Sequence, residues 1–221
     1  MNRADCLEYL ASRVDEHWLV TTSLSVNTAL WSRLRPGKAN FMGLNMGLCT
    51  PFALGLSLAF PRQKVIALDS DGSLMVDTSA LITVADAKPE NLVVMVFDNE
   101  SYARMGPTPT SRGVDLEKMA QGAGICRTFG ACTLEDFKAA TDAALVAPGP
   151  VFLLAKVEPE RTRIHGTRET YGQAMVQAFK SALDRHPDYI RRQSTVEGGE
   201  SDLSPRRPTL DARLSTGDPS E

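Results

Sequence analysis

A doubly wound α/β fold, a mostly parallel sheet with helices on both faces, is predicted by three features of this sequence. From Leu19 to Val157 short β-rich runs alternate with helical patterns, as they do when a parallel sheet is covered on both sides. The run LVVMVF at 92–97 shows no polar alternation, which suits a strand buried on both faces. The 221 residues, 43% hydrophobic and 23% charged, have the balance of a folded soluble chain of one large or two small domains.

Taken in order, the elements follow from local pattern. The opening MNRADCLEYLASRVDEHW sets apolar and charged residues at helical spacing and predicts a helix over Ala4–Val14; its acidic residues Asp5, Glu8, Asp15 and Glu16 are wrong for a signal peptide. A strand at Trp18–Thr22 and a helix at Val26–Leu34 follow, closed by the turn RPGK at 35–38. The segment from Ala39 to Pro61 carries no charge and has the length of a membrane span. Its Asn40, Asn45, Thr50, Pro51 and Ser57, with Gly43, Gly47 and Gly55, instead suit a small-residue helix packed on a sheet, expected over Phe52–Phe60. Strands are then expected at Val65–Asp69, Leu92–Phe97 and Val151–Val157. Helices are expected at Met75–Ala87, Leu116–Gly122, Leu134–Ala147 and Glu169–Arg185. Thr133, three residues before Asp136, is a capping signal for the helix at Leu134, and APGP at 147–150 marks a turn. One domain is expected over 1–189. After Tyr189 the apolar residues lose all period, so 190–221 is expected to be a disordered tail.

Charge and cysteine content narrow the function. Twenty-four Lys and Arg against 27 Asp and Glu leave a net charge of -3, so no bulk positive field exists for a nucleic acid or an anionic membrane. Cys6, Cys49, Cys126 and Cys132 form no CxxC pair, which points to a reducing, cytoplasmic location without a structural metal cluster.

The chemistry concentrates in residues 65–102. One buried strand runs to Asp69 and a turn through Asp71 and Gly72 leads into a helix, whose free N–H groups make a phosphate site. The next strand ends in Asp98, Asn99, Glu100 and Ser101. Asp71 and Asn99 lie 28 residues apart, the span of one strand–helix–strand unit, and a right-handed crossover sets two such strand ends side by side. Neighbouring strands are about 4.8 Å apart, so donors from both ends can grip one ion. A carboxylate, an amide oxygen and a carbonyl are hard donors suited to Mg2+ with phosphate oxygens in its open positions.

These residues resemble the diphosphate-binding motif of thiamine diphosphate enzymes, a GDG followed some thirty residues later by NN or DN, present here as Ser70-Asp71-Gly72 and Asp98-Asn99. FMGLNMG at 41–47, SDGSLMVDTSALITVA at 70–85, DNESY at 98–102 and GPTPTSRGVDLEKMAQGAGI at 106–125 extend the likeness over about residues 18–185, to the beta-type subunits of sulfopyruvate decarboxylases and the matching half of phosphonopyruvate decarboxylases. The resemblance implies that Asp71, the Asn99 side chain and the Ser101 carbonyl bind Mg2+. It implies that Gly72 and Ser73 meet the diphosphate, with Ser25 as a further phosphate candidate. Met46 matches the apolar residue that bends the cofactor and is the catalytic candidate; the main chains of Leu44 and Met46 would hold the aminopyrimidine. Ser70 replaces the first glycine, and Ser101 stands where many relatives have glycine.

Such a site loses carbon dioxide from a 2-oxo acid because the thiazolium ring of thiamine diphosphate accepts the electrons left behind. Members of the family pair two domains, one gripping the diphosphate and the other offering a glutamate to the pyrimidine. This chain has room for the first, so the resemblance implies a separate alpha-type, pyrimidine-binding subunit, a hetero-oligomer and a small 2-oxo acid substrate. Carboligation or acetolactate-type synthesis is the rival within enzymes. A catalytically silent assembly subunit is the rival outside them. A plain Rossmann binder lacks its GxGxxG after the first strand. Lone His17, His165 and His186 carry no partner pattern and read first as surface or structural residues, with His165 the one that could approach substrate; Arg104 and Arg112 could meet an anionic substrate or a phosphate, and solvated arginine is an equal reading for each.

Overall fold

The computed structural model describes residues 1–36, 39–160 and 172–185. Six strands form one sheet in the order β2-β1-β3-β4-β6-β5, every pairing parallel. They are β1 Leu19–Ser23, β2 Asn40–Leu44, β3 Val65–Ser70, β4 Leu92–Asp98, β5 Arg127–Ala131 and β6 Val151–Lys156. β4 is buried at all seven positions, as its unbroken apolar run requires of a strand with neighbours on both sides and helices on both faces.

Eight α-helices cover the sheet among the described residues: α1 Arg3–Arg13, α2 Val26–Leu34, α3 Cys49–Ala59, α4 Asp71–Leu74, α5 Ser79–Ala87, α6 Leu116–Ala123, α7 Leu134–Val146 and α8 Gly172–Asp184. Alternate residues of each strand feed the two cores. Val65, Ala67, Val94, Val96 and Phe152 pack with α3, α5, α6 and α8. Ile66, Leu68, Val93, Met95, Phe97 and Leu153 pack with α1, α2 and α7 around the fully buried Trp31 and Phe137. That alternation is the period of a strand carrying a core on each side.

Helix ends follow local chemistry. Asn2 accepts from the Ala4 N–H, and Asp115 accepts from the Lys118 N–H. Thr133 and Asp136 form a complete reciprocal capping box on α7. Pro51 lies in the first turn of α3, where its missing N–H costs nothing. No described helix is long and apolar enough to cross a membrane; the charge-free segment divides into β2 and the 11-residue α3.

Three elements differ from the sequence expectation. β2 and β5 are strands that the pattern did not mark, both short and glycine-containing, and β5 is an edge strand with mixed exposure, so neither offers a clean apolar run. The expected helix over Met75–Ala87 is shorter: a single turn, α4, precedes it, and α5 begins only at Ser79. Val76 and Asp77 donate to carbonyls three residues back, tightening the chain between the two helices. α8 occupies the latter part of the expected Glu169–Arg185 helix. Residues 37–38 of the RPGK turn, His165, His186 and the 190–221 tail lie outside the described residues.

The chain order reverses at β1, which has β2 on one side and β3 on the other. Open parallel sheets bind ligands in the crevice beyond the carboxyl ends of strands at such a reversal. The loops after β1, β3 and β4 converge there.

Candidate active site

The loops after β1, β2, β3 and β4 enclose a cavity of about 190 Å3. Ser25, Met46, Asp71, Gly72, Ser73, Asn99 and Ser101 all stand on its wall, so seven of the eight residues named from the sequence converge. The eighth, Leu44, ends β2 away from the lining, buried, with its carbonyl accepting from the Leu24 N–H at 2.8 Å. Leu24, Val26, Tyr102, Met105, Arg3 and Glu160 also line the cavity.

The register explains the convergence. Ser70 pairs with Phe97 at the parallel β3–β4 ends, so Asp71 and Asn99 leave adjacent strands within a residue or two of each other's level. Asp71 is the first residue of α4 and is almost fully buried. Its Oδ2 accepts from the Thr108 hydroxyl at 2.8 Å; Thr108 meets Thr110 at 2.8 Å, and Thr110 donates to Asp98 Oδ1 at 2.8 Å. Two buried carboxylates are thus bridged by a threonine pair. Lys156, at the end of β6, donates to Asp98 Oδ2 at 2.6 Å and to Glu100 at 3.0 Å. Burial lowers the Lys156 ammonium, but the hydrogen bonds and charges of Asp98 and Glu100 outweigh it and leave it above its usual value. Burial, reinforced by the Asp98 charge and opposed by the Thr108 hydrogen bond, pushes the Asp71 carboxyl up to about 6. Asp69, fully buried, is also pushed up by burial against hydrogen bonds from Ser73, Thr50 and the Ser70 N–H; its carboxylate pins the turn before Asp71.

The two departures from the family motif are accommodated by the backbone. Ser70 is extended at φ -128°, a conformation open to any residue, so glycine is not needed there. The left-handed residues of the loop after β4 are Glu100 and Ala103, at φ 57° and 55°, and Ser101 is not among them. Gly72, by contrast, has no room for a side chain: a Cβ there would stand 2.7 Å from the Tyr102 ring. The Ser73 hydroxyl accepts from the N–H of Gly47, whose φ of 82° turns the Met46 loop toward α4.

Ser25 caps α2 at φ 79° and ψ -127°, a region that only glycine occupies without cost, and its side chain makes no capping bond. Ser25→Gly is expected to raise stability by roughly 1 kcal/mol, the strain released less the entropy of an added glycine. Urea unfolding checks it, and an unchanged midpoint would show that Ser25 is unstrained.

Arg3, Thr108, Thr110, Lys156 and Glu160 were not marked by the sequence pattern. Thr108 and Thr110 fall within the GPTPTSRG stretch, but nothing local announces that their hydroxyls turn to Asp71 and Asp98. Arg3 and Glu160 belong to no motif and meet only through the fold.

A buried acid at the first turn of a helix, an amide just past the end of the next strand and a glycine under an aromatic ring are the arrangement that the likeness to the thiamine enzyme class implies. The profile of the family described as "Thiamine pyrophosphate enzyme, C-terminal TPP binding domain" matches residues 26–155, and the chain belongs to that family. It is 28% identical over 160 residues to the sulfopyruvate decarboxylase subunit beta of Methanocaldococcus jannaschii, covering 71% of this chain and 84% of that subunit. It is 36% identical over 131 residues to the sulfopyruvate decarboxylase of Methanosarcina acetivorans, covering 58% of this chain but 33% of that longer one. The thiamine diphosphate-dependent 4-hydroxybenzoylformate decarboxylase of Rhodococcus jostii superposes with a TM-score of 0.62 at 23% identity, over 73% of this chain and 33% of that one, and shares the fold. The chain therefore spans most of a separate beta subunit and about a third of its longer relatives.

Proposed function

We propose that the chain is the beta-type subunit of a thiamine diphosphate- and Mg2+-dependent decarboxylase of a 2-oxo acid. The observation that carries this reading is the convergence of Asp71 and Asn99, from adjacent parallel strand ends, on one cavity that also holds Met46, Gly72 and Ser73. The donor set suits the ion: a carboxylate, an amide oxygen and the Ser101 carbonyl are hard oxygen ligands, and among the described residues no cluster of three His, Cys, Asp or Glu side chains competes with it. When bound, the cofactor would supply the electron sink for decarboxylation.

The chain's own residues supply position and environment. Gly72 and Ser73 would offer N–H groups at the start of α4 to the diphosphate. Asp71 and Asn99 would hold the cation that neutralises it. Met46, half-buried on the cavity wall, would support the cofactor in a bent form, an orientation effect of the kind that lowers barriers by several kcal/mol. Leu44 would contribute its main chain beside Met46, and Ser25 its hydroxyl toward phosphate.

The substrate class follows from the relatives. Several carry the name sulfopyruvate decarboxylase subunit beta, and others phosphonopyruvate decarboxylase, which favours a 2-oxo acid with a second anionic group. A relative named as a beta subunit, and longer relatives with two thirds of their length unmatched, favour an alpha-type partner that carries the pyrimidine-binding glutamate. The expected result is carbon dioxide release from sulfopyruvate or phosphonopyruvate only when both subunits and Mg2+ are mixed with the cofactor. Full turnover by this chain alone would overturn the shared site. Failure to bind thiamine diphosphate even with the partner present would leave an assembly role.

A further inference from the structure

An ion pair between a buried arginine and a partly buried glutamate lies against the candidate site and belongs to none of its motifs. Arg3, in the first turn of α1, is 5% exposed, and its Nε stands 2.7 Å from Glu160 Oε1. Its Nη1 donates to Asn27 Oδ1 at 2.8 Å, and the guanidinium lies over the Phe97 ring. The other Glu160 oxygen, Oε2, accepts from Asn99 Nδ2 at 2.9 Å. Both members of the pair lie outside residues 26–155, and both line the cavity.

The Glu160–Asn99 bond decides which end of the amide serves as a ligand. A terminal amide can turn over and exchange its oxygen and nitrogen, and only the oxygen can bind a cation. With Nδ2 held by a carboxylate, Oδ1 is directed elsewhere; it accepts from the Ser101 N–H at 3.1 Å and keeps a second lone pair. Turned over, the amide would set two acceptors against each other at Glu160 and two donors at Ser101. Arg3 balances the Glu160 charge and anchors it through Asn27 to the sheet, since Asn27 Nδ2 donates to the carbonyls of Leu68 and Asp69. A chain of named contacts thus runs from the end of β3 to the metal loop after β4.

We propose that Glu160, clamped by Arg3, is a positioning residue that presents the Asn99 amide oxygen to a divalent, oxygen-seeking cation. This rests on the reading of Asn99 as a metal ligand. Removing the hydrogen-bond partner of a metal ligand weakens metal binding about 10–100-fold.

The test uses the full chain with Mn2+ as the probe, its free concentration read by electron paramagnetic resonance in the presence of thiamine diphosphate, and thermal melts to confirm folding. Glu160→Ala is expected to weaken Mn2+ binding about 10–100-fold. Glu160→Gln keeps an acceptor for Asn99 Nδ2 while removing the negative charge, and is expected to bind Mn2+ to within about 10-fold of the unaltered chain. A folded Glu160→Ala variant with unaltered Mn2+ affinity, or a Glu160→Gln variant as weak as Glu160→Ala, would overturn the positioning role. If Asn99→Ala binds Mn2+ like the unaltered chain, or the unaltered chain binds none, the metal-site reading fails and this role with it. Loss on Asn99→Ala but not on Glu160→Ala overturns the positioning role alone.

Discussion

Asp71→Asn is expected to stabilise the metal-free chain at neutral pH and to abolish cation-dependent retention of thiamine diphosphate. Burial and the nearby Asp98 charge push the Asp71 carboxyl from its ordinary 3.8 up to about 6. The sign follows from proton counting. Below about pH 4 the group is protonated in both folded and unfolded chains and costs nothing. Between 4 and 6 the unfolded chain gives up its proton first, so folding stability falls as pH rises, and above 6 the full penalty applies. Two pK units correspond to about 2–3 kcal/mol, or some 5 °C or more in melting temperature for a domain of this size. Calorimetric scans should therefore show the variant melting well above the unaltered chain near pH 8 and level with it near pH 4. The same variant should lose most of its Mn2+ affinity, because a neutral amide replaces the one anionic ligand of the proposed cation site. An equal gain at both pH values would rule out the buried charge as its source. The same burial that costs stability at neutral pH is what the proposed role of Asp71 as a cation ligand would require.

Gly149→Ala is expected to destabilise the chain by about 3 kcal/mol, in the range where overpacking against rigid atoms falls. A Cβ there would stand 2.6 Å from the Pro89 carbonyl oxygen and 2.7 Å from that of Leu92, and the Gly149 N–H already donates to Glu90 at 2.6 Å. All three are backbone at the entry to β4, so no side chain can swing aside. β4 ends in Asp98 and delivers Asn99, so the strain acts on the strand that carries the candidate metal loop. Gly55→Ala is the matching control. It lies within α3 with nothing within 4 Å of a new Cβ, and is expected to gain up to about 1 kcal/mol. Urea unfolding of both variants checks the contrast; similar midpoints would show that the entry to β4 can yield.

Strands whose residues are buried on both faces advertised themselves. β3, β4 and β6 read directly as apolar runs, and the helices between them as amphipathic stretches. β2 and β5 did not, because a short edge strand with a glycine and mixed exposure owes its existence to the neighbour it pairs with. The break between α4 and α5 escaped for a similar reason: 75–87 is a continuous helix-compatible sequence, and the tight turns after Ser73 and Leu74 interrupt it.

The candidate site divides along the same line. Asp71, Gly72, Ser73 and Asn99 were legible because their spacing encodes one crossover between neighbouring strands, a local geometry. The threonine bridge from Asp71 to Asp98, the Lys156 counter-charge and the Arg3–Glu160 clamp on Asn99 join residues carried by separate elements and loops. No periodicity records such partners, since each is chosen by which loops the sheet order brings together. By itself, then, the sequence settled the layered α/β class and the spacing that brings Asp71, Gly72, Ser73 and Asn99 to one cavity, through short-range pattern and motif spacing. Only the tertiary structure decided the sheet order, the tolerance of Ser70 and the company that each buried charge keeps, because burial and pairing of charge depend on surroundings that a linear sequence does not contain.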